Sequence, residues 1–292
     1  MNTITHNNGW TITIKEDIKN LTLEQLYEVA KLCNKHYVVV FKNQNLTIED
    51  QQKITSSIGE VKWHHGDNEA ETERILIAPG IIRVTGELNE KGEQGLFGHE
   101  EELKWHTHHV HDKNIHRFPY VWLYSVKGSK GSKTSWINQE MAYNDLTLEM
   151  KEKLDKIVYA TGGSTDQFSK MLLDSTKFPV DFDRPTKLVH TNIEGKKGLF
   201  FPFNQVHSVF EGVTQKEWEE LKTFLIDHCT QEKYIYHHNW EDNDLVISEQ
   251  WLSIHKRWSF DGMKERLLHR IAFDYNNVYN LKPYYSIASK DF

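Results

Sequence analysis

The chain has 292 residues, of which 38% are hydrophobic and 26% charged, with a formal net charge of −7. That length exceeds a minimal module, the apolar content suffices for a sizeable core, and a disorder-dominated chain is excluded. The acidic balance excludes a global positive field for nucleic acid, and no apolar run reaches the length of a membrane-spanning helix.

The polar segment from Met1 to Gly9 lacks the basic and apolar regions of a secretory signal. Thr22 and Gln25 form a capping box ahead of Leu23, Leu26, Val29, Ala30 and Cys33, whose spacing predicts a helix of about three turns. A buried strand is expected at Tyr37–Phe41, followed by a second helix from Thr47 to Ile58 that Gly59 ends as a C-terminal cap would. Residues 63–104 read as a long polar, lid-like excursion interrupted by a strand-like run at Ile81–Val84.

Further strands are predicted at Tyr120–Val126, Lys187–Thr191, Gly198–Phe203, Tyr234–His238, Leu245–Ser248 and Leu268–Tyr275. Helices are expected at Thr147–Val158 and at Thr214–Cys229, the latter opened by the capping box Thr214 and Glu217. No repeat or linker divides the chain, so residues 1–292 read as one domain, an α+β jelly roll decorated by helices. Cys33 and Cys229 both fall in helical segments, which suggests buried thiols in a reducing, cytoplasmic setting.

Seventeen histidines are many for this length, and they are densest at Trp105-His106-Thr107-His108-His109-Val110-His111-Asp112. On an extended segment, residues i and i+2 point to one side, so His106 and His108 can converge on one ion. The bland alternative is a solvated polar loop. A second element, Asp244 to His255, reads as a strand followed by a turn presenting His255. Arg266 and Arg270 follow, Arg270 inside the apolar run Leu267–Phe273. A buried arginine needs an anionic partner, and a bound carboxylate supplies one.

On these motifs, together with Val39–Thr47 and the segment Gly131-Ser132-Lys133-Thr134-Ser135-Trp136, the chain resembles the taurine dioxygenase family from about Val38 to Tyr275. The resemblance implies a double-stranded β-helix core and an oxygenase that uses iron(II), 2-oxoglutarate and O2 to hydroxylate a small polar substrate, releasing succinate and CO2. It implies His106 and His255 as metal ligands, Arg270 on the distal carboxylate of 2-oxoglutarate with Thr134 assisting, and Arg266 near the cosubstrate. It also implies a homo-oligomer, dimer or tetramer, with neither nucleic acid nor membrane as partner.

One departure stands out. The family pattern is His-x-Asp, but His108 occupies the carboxylate's place. Either His108 ligates directly in a three-histidine site, or Asp112, another acidic residue such as Glu100, or water supplies the third ligand, or the metal site has lapsed. Related halogenating enzymes carry a small residue there that makes room for halide, and a histidine fills that room. Two other functions stay open on the sequence: a three-histidine dioxygenase that does not use 2-oxoglutarate, and a metal-free binding protein.

The pairs His64-His65 and His237-His238 read as surface or satisfied core residues. Gly95–Leu103 reads as a substrate lid with glycine hinges or as an ordinary acidic loop. Phe200, Phe201 and Phe203 read as substrate-lining or core residues.

Overall fold

A computed structural model describes residues 1–62, 74–108, 118–161 and 185–280. The first strands are β1 (Thr3–Thr5) and β2 (Thr11–Ile14), followed by helix α1 (Leu23–His36), β3 (Val38–Phe41) and α2 (Ile48–Ile58). Next come β4 (Leu76–Ala78), β5 (Ile81–Val84), β6 (Leu103–His106), β7 (Tyr120–Lys127) and β8 (Lys133–Asn138). Two short helices, α3 (Gln139–Asn144) and α4 (Leu148–Leu154), lead to β9 (Val158–Thr161), β10 (Pro185–Lys187), β11 (Val189–Thr191), β12 (Lys197–Leu199) and β13 (Val206–Glu211). The chain closes with α5 (Gln215–Cys229), β14 (Ile235–Asn239), β15 (Leu245–Glu249), β16 (Ser253–Arg257) and β17 (Leu267–Phe273).

These strands form the α+β jelly roll that the sequence predicts. The major sheet runs β1-β2-β3-β15-β7-β17-β5-β4, and the minor sheet runs β14-β8-β16-β6. Among the described strands of these two sheets, β2 pairs with β3 in parallel and the other neighbours pair antiparallel. The central strands of the major sheet are apolar on both faces, and the period of two sorts them. Val38, Val40, Val121, Leu123 and Val246 join the core that contains Trp136 and Ile254 of the minor sheet. Val39, Phe41, Tyr120, Trp122, Ile247 and Ile271 join a second core with Val29, Cys33, Ile54 and Ile58 of α1 and α2. The two helices thus cover the outer face of the major sheet, and the space between the sheets is left for the site.

Helices α1, α2 and α5 open on the capping boxes of Thr22, Thr47 and Thr214. Gly59 follows α2, but its backbone is extended, with φ at −175°. Glycine is needed there because an added Cβ would collide with Asp274, within 2.6 Å of that residue's backbone and side chain. A positive φ is found instead at Tyr37, the residue after α1, at 58°.

Other boundaries shift for local reasons. The helix from Thr147 ends at Leu154, and Val158 opens β9. The expected strand 187–191 is split at Leu188, whose N–H donates to Ile157 O while its carbonyl accepts from Phe200. The run 198–203 is strand only to Leu199. His255 is not presented by a turn: the chain turns at residues 250–252, and His255 is the middle residue of β16. Residues 63–73 of the expected excursion, with His64 and His65, lie outside the described residues, as do His109, His111, Asp112 and His116. The rest of the excursion supplies β4 and β5 at one edge of the major sheet and leads into β6. Cys33 and Cys229 are both buried free thiols.

Candidate metal centre

His106 is the last residue of β6 and lies directly opposite His255 on β16. Cross-strand partners project to the same face, and the two rings stand 4.2 Å apart between centroids. His108 follows just beyond the strand, its ring 5.4 Å from His106 and 4.5 Å from His255. One ring nitrogen from each of the three buried histidines lies within 4.8 Å of the others. Glu100, weighed as a third ligand, is exposed and does not belong to this group.

The residue between the first two histidines is clamped. Thr107 N–H donates to Gln205 Oε1 at 2.9 Å, and Gln205 Nε2 returns a bond to Thr107 O at 3.0 Å. Thr107 Oγ1 donates to the Gln250 carbonyl at 3.0 Å, and the Gln250 side-chain oxygen accepts the His108 N–H at 3.4 Å. Both glutamines are buried, so the bend that carries His108 is fixed from two sides.

The ring chemistry suits a metal. His106 Nδ1 donates to Lys104 O at 2.6 Å, which leaves Nε2 as the lone-pair nitrogen. Burial lowers the pKa of His106 to about 4, aided by the charges of Arg270 and Arg257 and against the pull of the Lys104 carbonyl. Burial, followed by His106 and Arg270, holds His255 well below the usual histidine range. Neutral imidazoles in a dry pocket are the form that binds a divalent cation.

Beside the histidines lies a cavity lined by Thr134, Arg257, Arg266, Arg270, Leu103, Leu123 and Leu268 among others. Among its described lining residues there are three arginines and neither aspartate nor glutamate. Arg270 reaches it from β17, on the same face as Leu268, while its neighbour His269 points to the other face and meets Gln51 of α2. Burial pushes Arg266 down to about 9, with Arg257 adding repulsion, and its Nε has no hydrogen-bond partner among the described residues. Thr134 Oγ1 accepts the indole N–H of Trp240 at 2.9 Å, so its own hydroxyl proton is available to an acceptor in the cavity. An arginine-rich, carboxylate-free cavity beside a three-histidine cluster fits a metal chelated by a small dianion.

Arg257 was missed in the sequence although it stands two residues after His255, and so on the same face of β16. Its Nη1 donates to Phe97 O at 2.6 Å, and its Nη2 donates to His99 O and Glu101 O, both at 2.6 Å. Gly95 and Gly98 sit where an added Cβ would strike the backbone of Arg83 and Thr85. The segment that reads as a hinged lid or an ordinary acidic loop is thus fastened to β5 and β16. Phe200, Phe201 and Phe203 are buried in the core between the sheets.

The family model described as Taurine catabolism dioxygenase TauD, TfdA family matches residues 13–272. This chain belongs to that family. Among curated relatives, the TauD/TfdA chain is 22% identical to an alpha-ketoglutarate-dependent 2,4-dichlorophenoxyacetate dioxygenase of Cupriavidus pinatubonensis, over 84% of this chain and 87% of that one. It is 23% identical to the (S)-phenoxypropionate/alpha-ketoglutarate-dioxygenase of Sphingobium herbicidovorans, over 81% and 82% of the two chains. Its fold superposes with a TM-score of 0.71 on AAD-2, solved in complex with Mn(II) and N-oxalylglycine, at 19% identity over 93% of this chain and 96% of that one. A taurine dioxygenase from Burkholderia xenovorans gives a TM-score of 0.69 at 19% identity, over 90% and 85%. The TauD/TfdA chain is therefore an iron(II)- and 2-oxoglutarate-dependent dioxygenase, with O2 as oxidant. Among the described residues, no helix is long and apolar enough to cross a membrane.

Proposed function

We propose that His106, His108 and His255 hold the iron(II), with His108 in the place of the family's carboxylate, and that Thr134, Arg266 and Arg270 hold 2-oxoglutarate. The observation that carries this reading is the convergence of three buried histidines beside a cavity whose described lining contains three arginines and no acidic side chain. Three neutral ligands leave the metal one negative charge richer in demand than a two-histidine, one-carboxylate set, and the cosubstrate's carboxylates partly meet that demand.

Arg270, with Thr134 assisting, takes the distal carboxylate of the dianion, and Arg266 lies near the cosubstrate. When bound, iron(II) with 2-oxoglutarate supplies the O2-driven oxidation of a C–H bond, with release of succinate and CO2. The protein orients the cosubstrate through the guanidinium forks, keeps the imidazoles neutral by burial, and excludes water with Leu103, Leu123 and Leu268.

The substrate we propose is a small polar organic acid that is hydroxylated, a class supported by the carboxylic acids in the names of the relatives. The whole chain acts as one cytoplasmic oxygenase domain that assembles as a dimer or tetramer.

Anaerobic iron(II) titration with 2-oxoglutarate tests the site through the visible metal-to-ligand charge-transfer band. The wild type should develop the band, His108→Ala should weaken it, and Arg270→Ala should shift its appearance to higher cosubstrate concentrations. Iron binding without any band would sink the 2-oxoglutarate reading. An undiminished band in His108→Ala would remove His108 from the ligand set.

A further inference from the structure

One cross-strand row runs straight out of the metal site across the minor sheet. His106 pairs with His255, His255 with Trp136 on β8, and Trp136 with Tyr236 on β14. Opposed residues share a face, so four rings stand in line. Trp136 lies stacked at 6.2 Å from His255, and Tyr236 lies 6.2 Å from Trp136. Past Tyr236 come Trp10 at 6.3 Å and half-buried His6 at 5.0 Å, in the segment leading into β2.

Core packing accounts for aromatic neighbours but not for the polar groups around Tyr236. Its phenol oxygen lies 3.1 Å from His238 Nδ1, and His238 Nε2 lies 3.1 Å from Asp244 Oδ2. The same carboxylate oxygen accepts Lys42 Nζ at 2.6 Å and the Glu241 N–H at 3.0 Å. An ionised carboxylate only accepts hydrogen bonds, so His238 carries its proton on Nε2 and offers a lone pair at Nδ1. The Tyr236 hydroxyl must therefore donate to it. Burial keeps this imidazole neutral, against the opposing pull of Asp244. A phenol becomes a strong acid when it loses an electron, and Tyr236 has a base in place to take that proton.

We propose that this row is a redox relay that drains oxidising equivalents from the iron site when O2 is activated there without substrate. Trp136 would pass one electron at a time to the centre that His106, His108 and His255 would hold, each matched by a proton from solvent, so that two passages would return iron(II) and water. Tyr236 then gives one electron to the Trp136 cation radical and its phenolic proton to His238 Nδ1, and Asp244 holds the resulting imidazolium. An exogenous one-electron reductant of the ascorbate class restores Tyr236 by way of Trp10, and His238 returns the proton. The metal ligands, which are the nearest alternative targets, are spared.

The relay rests on the iron reading above, so the test separates the two. Iron-loaded protein with 2-oxoglutarate, O2 and no substrate is first checked for its charge-transfer band, then freeze-quenched for electron paramagnetic resonance. The expected result is a tyrosyl signal that narrows with ring-deuterated tyrosine and is lost in Tyr236→Phe, which keeps the ring and removes the transferable proton. A protein that forms the band and consumes O2 with no tyrosyl radical, or with the same radical in Tyr236→Phe, overturns the relay. If the band never forms, the iron reading has failed, and iron-free protein decides the relay. Azidyl radicals from pulse radiolysis oxidise tryptophan, and transfer to tyrosine should occur in the wild type and be lost in Tyr236→Phe. Absence of that loss refutes the proposal.

Discussion

Replacing Arg257 by methionine keeps much of the side-chain volume and removes the guanidinium that fastens residues 97–101 to β16. Three carbonyl oxygens lose their donor: that of Phe97 in a fully buried bond, those of His99 and Glu101 in part-buried ones. Hydrogen bonds to charged groups contribute about 1.5–3 kcal/mol each, so the gross loss over three bonds is roughly 4.5–9 kcal/mol. Against it stands the relief of no longer burying a cation that burial already pushes down to about 10. A net destabilisation of about 3 kcal/mol is expected, which at roughly 2–4 °C per kcal/mol for a chain of this size lowers Tm by about 6–12 °C. Differential scanning fluorimetry of the iron-free protein reads this directly, because the effect concerns the fold and not the loaded site. An unchanged Tm would show that the three bonds do not hold the segment and would refute the account of it as fastened rather than hinged.

Thr134→Val should weaken 2-oxoglutarate binding by about 10- to 100-fold, as expected for losing a hydrogen bond to a charged group, while Thr134→Ser stays near wild type. Calorimetric titration of the iron-loaded protein measures both. Gln250→Leu removes the acceptor that fixes His108 and should lower iron affinity by about 10- to 100-fold, the usual effect of losing a group that orients a ligand, in competition against a metallochromic chelator. Burial pushes the Glu249 carboxyl up to about 8 from an ordinary 4.5, although the N–H groups of Trp251 and Leu252 donate to it. The folded state thus keeps a proton that the unfolded chain releases, so stability falls as pH rises between those values and levels off above the higher one. Glu249→Gln, which cannot ionise, should flatten the decline of Tm across that window, and an unaltered slope would count against it.

Much of the fold was legible because its signals are local. The Thr-x-x-Gln/Glu boxes started α1 and α5 in the right places, and the run Val38–Phe41 announced a strand buried on both faces. Strands β8 and β16 escaped notice because they mix Lys133, Ser135, Ser253 and Lys256 with apolar residues, although both serines are buried. His106, His255, Thr134, Arg266 and Arg270 could be picked from motif order, and all line one cavity. Gln205, Gln250 and Arg257 could not, since each acts on backbone groups far away in sequence, and a contact with a carbonyl leaves no mark on residue type. The pair His237-His238 read as surface or satisfied core residues; alternation on β14 buries His238 and leaves His237 partly exposed.

The direct pairing of His106 with His255 also bears on how the protein is made. The two strands are far apart in the sequence, and the arginine strand β17 follows the second of them. A ribosome must therefore release the chain through β17 before the site can exist at all. On the proposed ligand set, iron cannot serve as a template that gathers the early strands, because His255 has yet to be synthesised when His106 and His108 emerge. Closure of such a distant contact is slow relative to helix formation, so α1 and α2 can settle against the early strands long before the pocket closes. Metal loading is accordingly a late event, taking place on a jelly roll that has already formed, and loss of β16 or β17 would leave a chain with partly folded helices and no place for the metal.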